Sequence, residues 1–207
     1  MNYLFYDVES TGLTNSDEVV QFAGILTDEN LRLQRAYSFY CYTPVPMSKK
    51  VSEITGLSAT ILHKLSEMQT FEDQFFQLSL HKLKDLTWIA YSTNHFDERM
   101  INYTLEHNGL PRYDFGTPLP HFDSRATGIH TIDAYHLLQN RCFGGRNQKL
   151  SQAIASVPGG ELEVRELFDA KLASASAVRG YHDALYDSLT LWWLLNHFKS
   201  RLGINEL

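Results

Sequence analysis

Two acids set the chemistry that this chain could perform. Asp7 and Glu9 stand two residues apart in Tyr3-Leu4-Phe5-Tyr6-Asp7-Val8-Glu9-Ser10-Thr11-Gly12-Leu13. Side chains two apart on a strand point to one face, so a strand here projects both carboxylates together. Paired buried acids are costly unless hydrogen bonds or a cation compensate them, and a divalent metal is the simple remedy. Further candidates come later. Asp97 falls on one helical stripe with Ile101, Thr104 and Leu105, because positions three and four apart share a face. His182, Asp183 and Asp187 open a helix whose continuation, Leu189 to Leu195, is apolar nearly all round. Asp183 and Asp187 are four apart and share a face, so spacing alone does not choose between them. Four carboxylates and one imidazole suit two-metal phosphoryl chemistry. Hard divalent cations take oxygen ligands. A pair of them about 3.5–4 Å apart activates water and stabilises the leaving oxygen of a phosphodiester. An imidazole near neutrality takes the water's proton. Each residue alone has an ordinary alternative: a strand end reaching solvent, an acid complementing a helix macrodipole, a structural histidine. Their combination favours the metal site.

The elements that would position these groups follow from periodicity. Tyr3 to Val8 reads as a buried first strand, Val19 to Thr27 as a second and Arg35 to Thr43 as a third, joined by short polar connections as an antiparallel meander. Leu86 to Tyr91 and Ile129 to Ile132 read as two more short strands. Ser48 to Leu57 reads as irregular, with a turn at Gly56. Ser58 caps a helix through Lys64, Thr70 one through about Lys84, and Asn94 one to about His107. Residues 112–128 read as a loop, and further helices are expected at about 133–140, 148–156, 161–172 and 181–202. Strands first, then helices alternating with strands, give a mixed α/β sheet with helices packed on it. One domain over residues 1–207 is expected.

Composition narrows the function classes. The 207 residues are 43% hydrophobic and 20% charged, with a formal net charge of −6, which excludes coating of nucleic acid by bulk electrostatics. Any phosphate ligand must be held locally. Arg141, Arg146 and Lys149 around Gly144-Gly145 are basic, although such a loop is more often simply solvated. Cys41 and Cys142 form no C-x-x-C pair, which suits a reducing compartment. The N-terminus lacks a basic stretch ahead of its apolar run, and a cytoplasmic location is expected. No G-x-S-x-G elbow and no P-loop lysine motif occurs, which removes serine hydrolysis and nucleoside-triphosphate hydrolysis.

With these residues in view, the chain resembles the DEDD superfamily of 3′→5′ exonucleases, in its histidine-bearing subclass. Asp7 and Glu9 match the first motif (D-V-E-S-T-G-L), Asp97 the second (N-H-F-D), and His182 with Asp187 the third (H-D-A-L-Y-D). Leu4-Phe5-Tyr6-Asp7, Gln21 to Asp28, Phe39-Tyr40-Cys41 and Glu53 to Leu57 are most similar to the exodeoxyribonuclease I branch. The resemblance implies a ribonuclease H-like α/β fold, a mixed five-stranded sheet flanked by helices. It also implies two Mg²⁺ or Mn²⁺ ions and release of nucleoside 5′-monophosphates from the 3′ end of single-stranded DNA. Asp7 would bridge the metals, Glu9 and Asp187 would complete the one that holds the attacking water, and Asp97 would serve the other. The third motif selects Asp187 over Asp183. His182 would be the general base. The backbone at Thr11 and Gly12 would approach the terminal nucleotide, and Leu13 would wedge against its base, a contact tolerant of sequence. The chain stops near where a catalytic domain of that branch ends, so high processivity is not expected. RNA is the alternative substrate, and a non-catalytic nucleic-acid-binding module the alternative class.

Overall fold

Burial runs along both faces of the first strand and sorts its side chains into two cores. In β1 (Asn2–Ser10), Tyr3 and Phe5 join one apolar cluster, and Leu4, Tyr6 and Val8 join another. A strand with apolar residues on both faces belongs in the middle of a sheet covered on both sides, and β1 is the central strand. In this computed structural model, residues 2–78, 80, 86–91, 95–113, 115, 130–176 and 180–203 are described. The sheet has five strands in the order β3-β2-β1-β4-β5. β2 (Val19–Thr27) pairs antiparallel with β1, and β3 (Leu33–Tyr40) antiparallel with β2. β4 (Leu86–Ala90) runs parallel to β1, and β5 (His130–Asp133) parallel to β4. The expected mixed α/β architecture and its opening meander are observed. Ile129, the residue expected to start the last strand, lies outside the described residues.

One face carries an aromatic core in which Phe22 sits 5.4 Å from both Phe39 and Phe75, and Tyr6 5.0 Å from Trp88. α3 (Phe71–Gln77) and α4 (Phe96–His107) close over it. The tyrosine- and phenylalanine-rich third strand therefore serves the core. The other face is covered by α5 (Ala134–Arg141), α6 (Leu150–Ala155), α7 (Gly160–Lys171) and α8 (Ala184–His197), followed by α9 (Lys199–Leu202). α8 packs directly on β1 and β2, and the Ser188 hydroxyl donates to the Ala23 carbonyl at 3.3 Å. No helix among the described residues is long and apolar enough to cross a membrane.

Several boundaries differ from the sequence reading. The segment expected to be irregular contains α1 (Lys49–Thr55), started by the Ser48 hydroxyl on the Val51 N–H and stopped by Gly56 at φ 71°. Both end signals are standard, but with Val51 and Ile54 as its only large apolar residues the helix is weakly patterned. α2 (Ala59–Leu65) starts at Ser58 and α3 at Thr70, as expected. α3 ends at Gln77; Lys84, the expected end, lies outside the described residues. So do Asn94, the expected cap of α4, and most of the 112–128 loop. The helix expected over 181–202 begins at Ala184, because the Asp183 side chain accepts the Leu185 and Tyr186 N–H groups and makes itself the cap. It is interrupted at Phe198 before α9.

Candidate active site

β1 presents Asp7 and Glu9 on the same face as Tyr3 and Phe5, the face that α8 covers. Both acids keep partial solvent access. The ladder between β1 and β4 stops at Phe5 and Ile89, which leaves the Val8 N–H without a strand partner on that side. Asp97 fills the gap: its Oδ1 accepts the Val8 N–H at 3.2 Å. Asp97 stands on the first turn of α4 and is 3% exposed. A helix from the opposite layer is thus brought around the strand end, between the two β1 acids. α4 begins after His95, which is left-handed at φ 51° and gives no side-chain cap.

The third segment enters through a turn. Gly180 (φ 113°) and His182 (φ 64°) both lie at positive φ, which costs a non-glycine residue about 1–2 kcal/mol. The His182 N–H donates to Asp187 Oδ2 at 3.0 Å, a charge-assisted bond that helps to hold the turn. Glu9, His182 and Asp187 each offer a donor atom, and these atoms lie within 4.8 Å of one another. Asp7 and Asp97 stand outside that close group, and Asp97 reaches the strand at Val8, the residue between the two β1 acids. The structure therefore places all five sequence-selected residues at one site and concentrates three of them.

The electrostatics are those of a site short of positive charge. Burial, reinforced by Asp97 and then Asp187, raises the Asp7 carboxyl well above its ordinary value. Burial and then Asp187 do the same for Glu9. Asp187 is pushed up to about 7 by burial, although the His182 N–H pulls it down, with Asp183 and Asp97 pushing in the same direction as burial. Asp187 Oδ1 is buried and has no hydrogen-bond partner among the described residues. The His182 imidazole is shifted below its ordinary value, by burial first and by Lys149 second, so it is neutral at neutral pH. Clustered carboxylates with raised proton affinity, an unpartnered carboxylate oxygen and a neutral imidazole form a donor set that fits a hard divalent cation.

The two acids of the third segment have separate fates. Asp183 is fully buried with both oxygens engaged by donors, including the two N–H groups it caps. Asp187 faces Glu9 and His182.

Beside the acids, the turn after β1 is held by a residue that the sequence reading passed over. The Asp17 carboxylate accepts the Thr11 hydroxyl at 2.9 Å, the Thr14 N–H at 2.8 Å and the Thr14 hydroxyl at 2.7 Å. It occupies the space beside Gly12, where a Cβ would lie 2.5 Å from Asp17 Oδ1. The glycine is required there by that close approach. Thr11 is buried, whereas Leu13 at the tip is 76% exposed. The signal was present in the sequence as T-x-x-D, the pattern of a side-chain-capped turn. Of the basic loop, Arg141 Nη1 donates to the Leu202 carbonyl at 2.8 Å and Arg146 Nε to the Phe143 carbonyl at 3.3 Å, so both serve the fold. Lys149 acts on His182.

The RNase_T family model, described as an exonuclease, matches residues 4–144. No curated protein matches by sequence. Among solved structures, Escherichia coli Exonuclease I in complex with a dT13 oligonucleotide superposes with a TM-score of 0.68 at 17% identity, covering 98% of this chain and 42% of that one. The cell-death related nuclease CRN-4 gives 0.64 at 17% identity, covering 96% of this chain and 64% of that one. A full-length 3′-exonuclease gives 0.66 at 13% identity, with 96% and 81% covered. The chain thus spans about two fifths of the length of Exonuclease I. At such identities the likeness is one of fold.

Proposed function

Because the chain belongs to the RNase_T exonuclease family, which it matches over residues 4–144, we propose that it is a metal-dependent 3′→5′ exonuclease. It removes nucleoside 5′-monophosphates from single-stranded DNA, as a single domain over residues 1–207 and in the cytoplasm. The observation that carries this reading is the convergence of Glu9, His182 and Asp187 within 4.8 Å, with an unpartnered Asp187 oxygen among them. Two divalent cations, Mg²⁺ or Mn²⁺, supply Lewis-acid stabilisation of the charge that builds on phosphate oxygens. Asp7, Glu9, Asp97 and Asp187 would hold them. The proton of the attacking water goes to the His182 imidazole, which is neutral for the reason given above and exposed enough to meet it. The Thr11–Gly12 backbone, stiffened by Asp17, meets the terminal nucleotide, and Leu13 stacks on its base. Single-stranded DNA is favoured by the oligonucleotide carried by the Exonuclease I structure of like fold.

The test uses 5′-labelled single-stranded DNA, duplex DNA and RNA, with Mg²⁺ or with chelator, beside Asp7→Ala. A metal-dependent ladder shortening from the 3′ end of single-stranded DNA, absent in Asp7→Ala, is the expected result. Shortening of RNA alone moves the substrate to RNA and leaves the chemistry standing. Normal activity in Asp7→Ala, or no cleavage of any substrate, overturns the reading.

A further inference from the structure

Asp183 touches the site only through its neighbours, yet it is tied to nearly everything that shapes it. It is 0% exposed. Its Oδ1 accepts the N–H groups of Leu185 at 3.1 Å and Tyr186 at 3.0 Å. Its Oδ2 accepts Gln21 Nε2 at 3.1 Å, the Tyr40 hydroxyl at 3.4 Å and the Ser176 hydroxyl. Gln21 returns the contact, its Oε1 accepting the Ala184 N–H at 3.3 Å. Gln21 stands directly opposite Glu9 in the ladder between β1 and β2. The first turn of α8 is therefore fastened to the rung that carries Glu9, and through Tyr40 to β3. Asp187 follows one turn later, its N–H donating to the Asp183 carbonyl at 2.9 Å. Five donors on two oxygens are the geometry that an acceptor-only carboxylate requires, and such second-layer acids orient ligands and strengthen them.

We propose that Asp183 is a positioning residue that sets the cation affinity of the carboxylates Glu9 and Asp187. Through Gln21 it fixes how far Asp187 stands from Glu9, and it adds a buried negative charge behind both. This rests on the exonuclease reading above. A cap that served only the helix would need no bridge to the rung of Glu9. Its charge reaches Asp187, Asp7 and Glu9, which is the further support for a role in cation binding.

Asp183→Asn tests the charge and Gln21→Met the bridge. Asparagine is an equally good helix cap; its new amide N–H groups face the Tyr40 and Ser176 hydroxyls, which can accept, and Gln21 Nε2, which cannot. Mn²⁺ binding is measured by electron paramagnetic resonance on the full chain, with thermal melting and the metal dependence of cleavage alongside. The expected result is a Kd for Mn²⁺ weakened by about 10–100-fold in both variants, each still melting cooperatively without metal, with cleavage restored as metal is added. If Asp183→Asn does not fold, the Kd of Gln21→Met decides. Wild-type Kd in folded variants overturns the proposal while leaving the exonuclease reading intact. A wild-type protein that neither binds Mn²⁺ nor cleaves overturns both.

Discussion

Replacing Asp187 with asparagine should stabilise the metal-free protein while abolishing its activity. In the fold this carboxyl titrates at about 7, against an ordinary 3.8, a rise of about 3 units or ~4 kcal/mol at 1.36 kcal/mol per unit. A raised carboxyl binds its proton more tightly in the folded than in the unfolded chain. Its contribution to stability is therefore full below about pH 4, declines as pH rises toward about 7, and stays lost above that. Asparagine suffers no such loss. Two effects reduce the gain: partial solvent access screens the charge, and the bond from the His182 N–H loses about 1 kcal/mol when its acceptor becomes neutral. A net gain of roughly 1–3 kcal/mol remains, or roughly 3–10 °C in melting temperature for a chain of this size. Calorimetry in chelator at about pH 5 and about pH 8 reads it. The gain should be large at the higher pH and shrink at the lower, and Mg²⁺ should raise the melting point of the wild type more than that of the variant. A variant that melts no higher than wild type at about pH 8 without metal, or whose gain does not change with pH, refutes the reasoning.

Three other expectations follow from the same site. His182→Ala should slow cleavage by about 10²–10⁴-fold with little change in Mn²⁺ affinity; a rate within a few-fold of wild type removes the imidazole from the proton transfer. Leu13→Ala, at a side chain 76% exposed, should change stability by no more than about 0.5 kcal/mol and raise KM for single-stranded DNA. Unchanged KM would take Leu13 out of the substrate contact. Gly12→Ala drives a Cβ to 2.5 Å from the Asp17 carboxylate. It should cost about 1–3 kcal/mol, the range for overpacking a filled site, and raise KM as the turn is displaced; melting and steady-state kinetics measure the two together.

What was legible in the sequence was what repeats or what carries charge. The apolar run of β1 announced a buried strand, and the strand period put Asp7 and Glu9 on one face. Helix signals made of a single polar residue were also readable where apolar residues followed at helical spacing, as Ile61, Leu62 and Leu65 follow Ser58 and Phe71 and Phe75 follow Thr70. α1, equally short, was missed because Val51 and Ile54 are its only large apolar residues between Ser48 and Gly56. The deeper loss concerns partners far apart in the chain. Nothing local to Asp97 says that its carboxylate closes the open edge of β1 at Val8, 89 residues away. Nothing local to Gln21 says that it will meet Asp183, 162 residues away.

The choice between Asp183 and Asp187 shows the limit most clearly. Four residues apart, they are equivalent on a helical wheel, and only a motif resemblance favoured the second. The helix does not begin where the wheel assumes. Asp183 stops the backbone from being helical before it by capping α8 with its own side chain, and in doing so spends both oxygens on N–H and hydroxyl donors. Asp187, one turn inside the helix, keeps an oxygen that no described donor reaches. The same local rule that sets the helix boundary therefore divides the two acids into one that fastens α8 to the sheet and one left available to a cation. A side chain at position 183 that failed to cap would leave the Leu185 and Tyr186 N–H groups without that acceptor. Capping and fastening thus fall to Asp183, and the unpartnered oxygen beside Glu9 and His182 to Asp187.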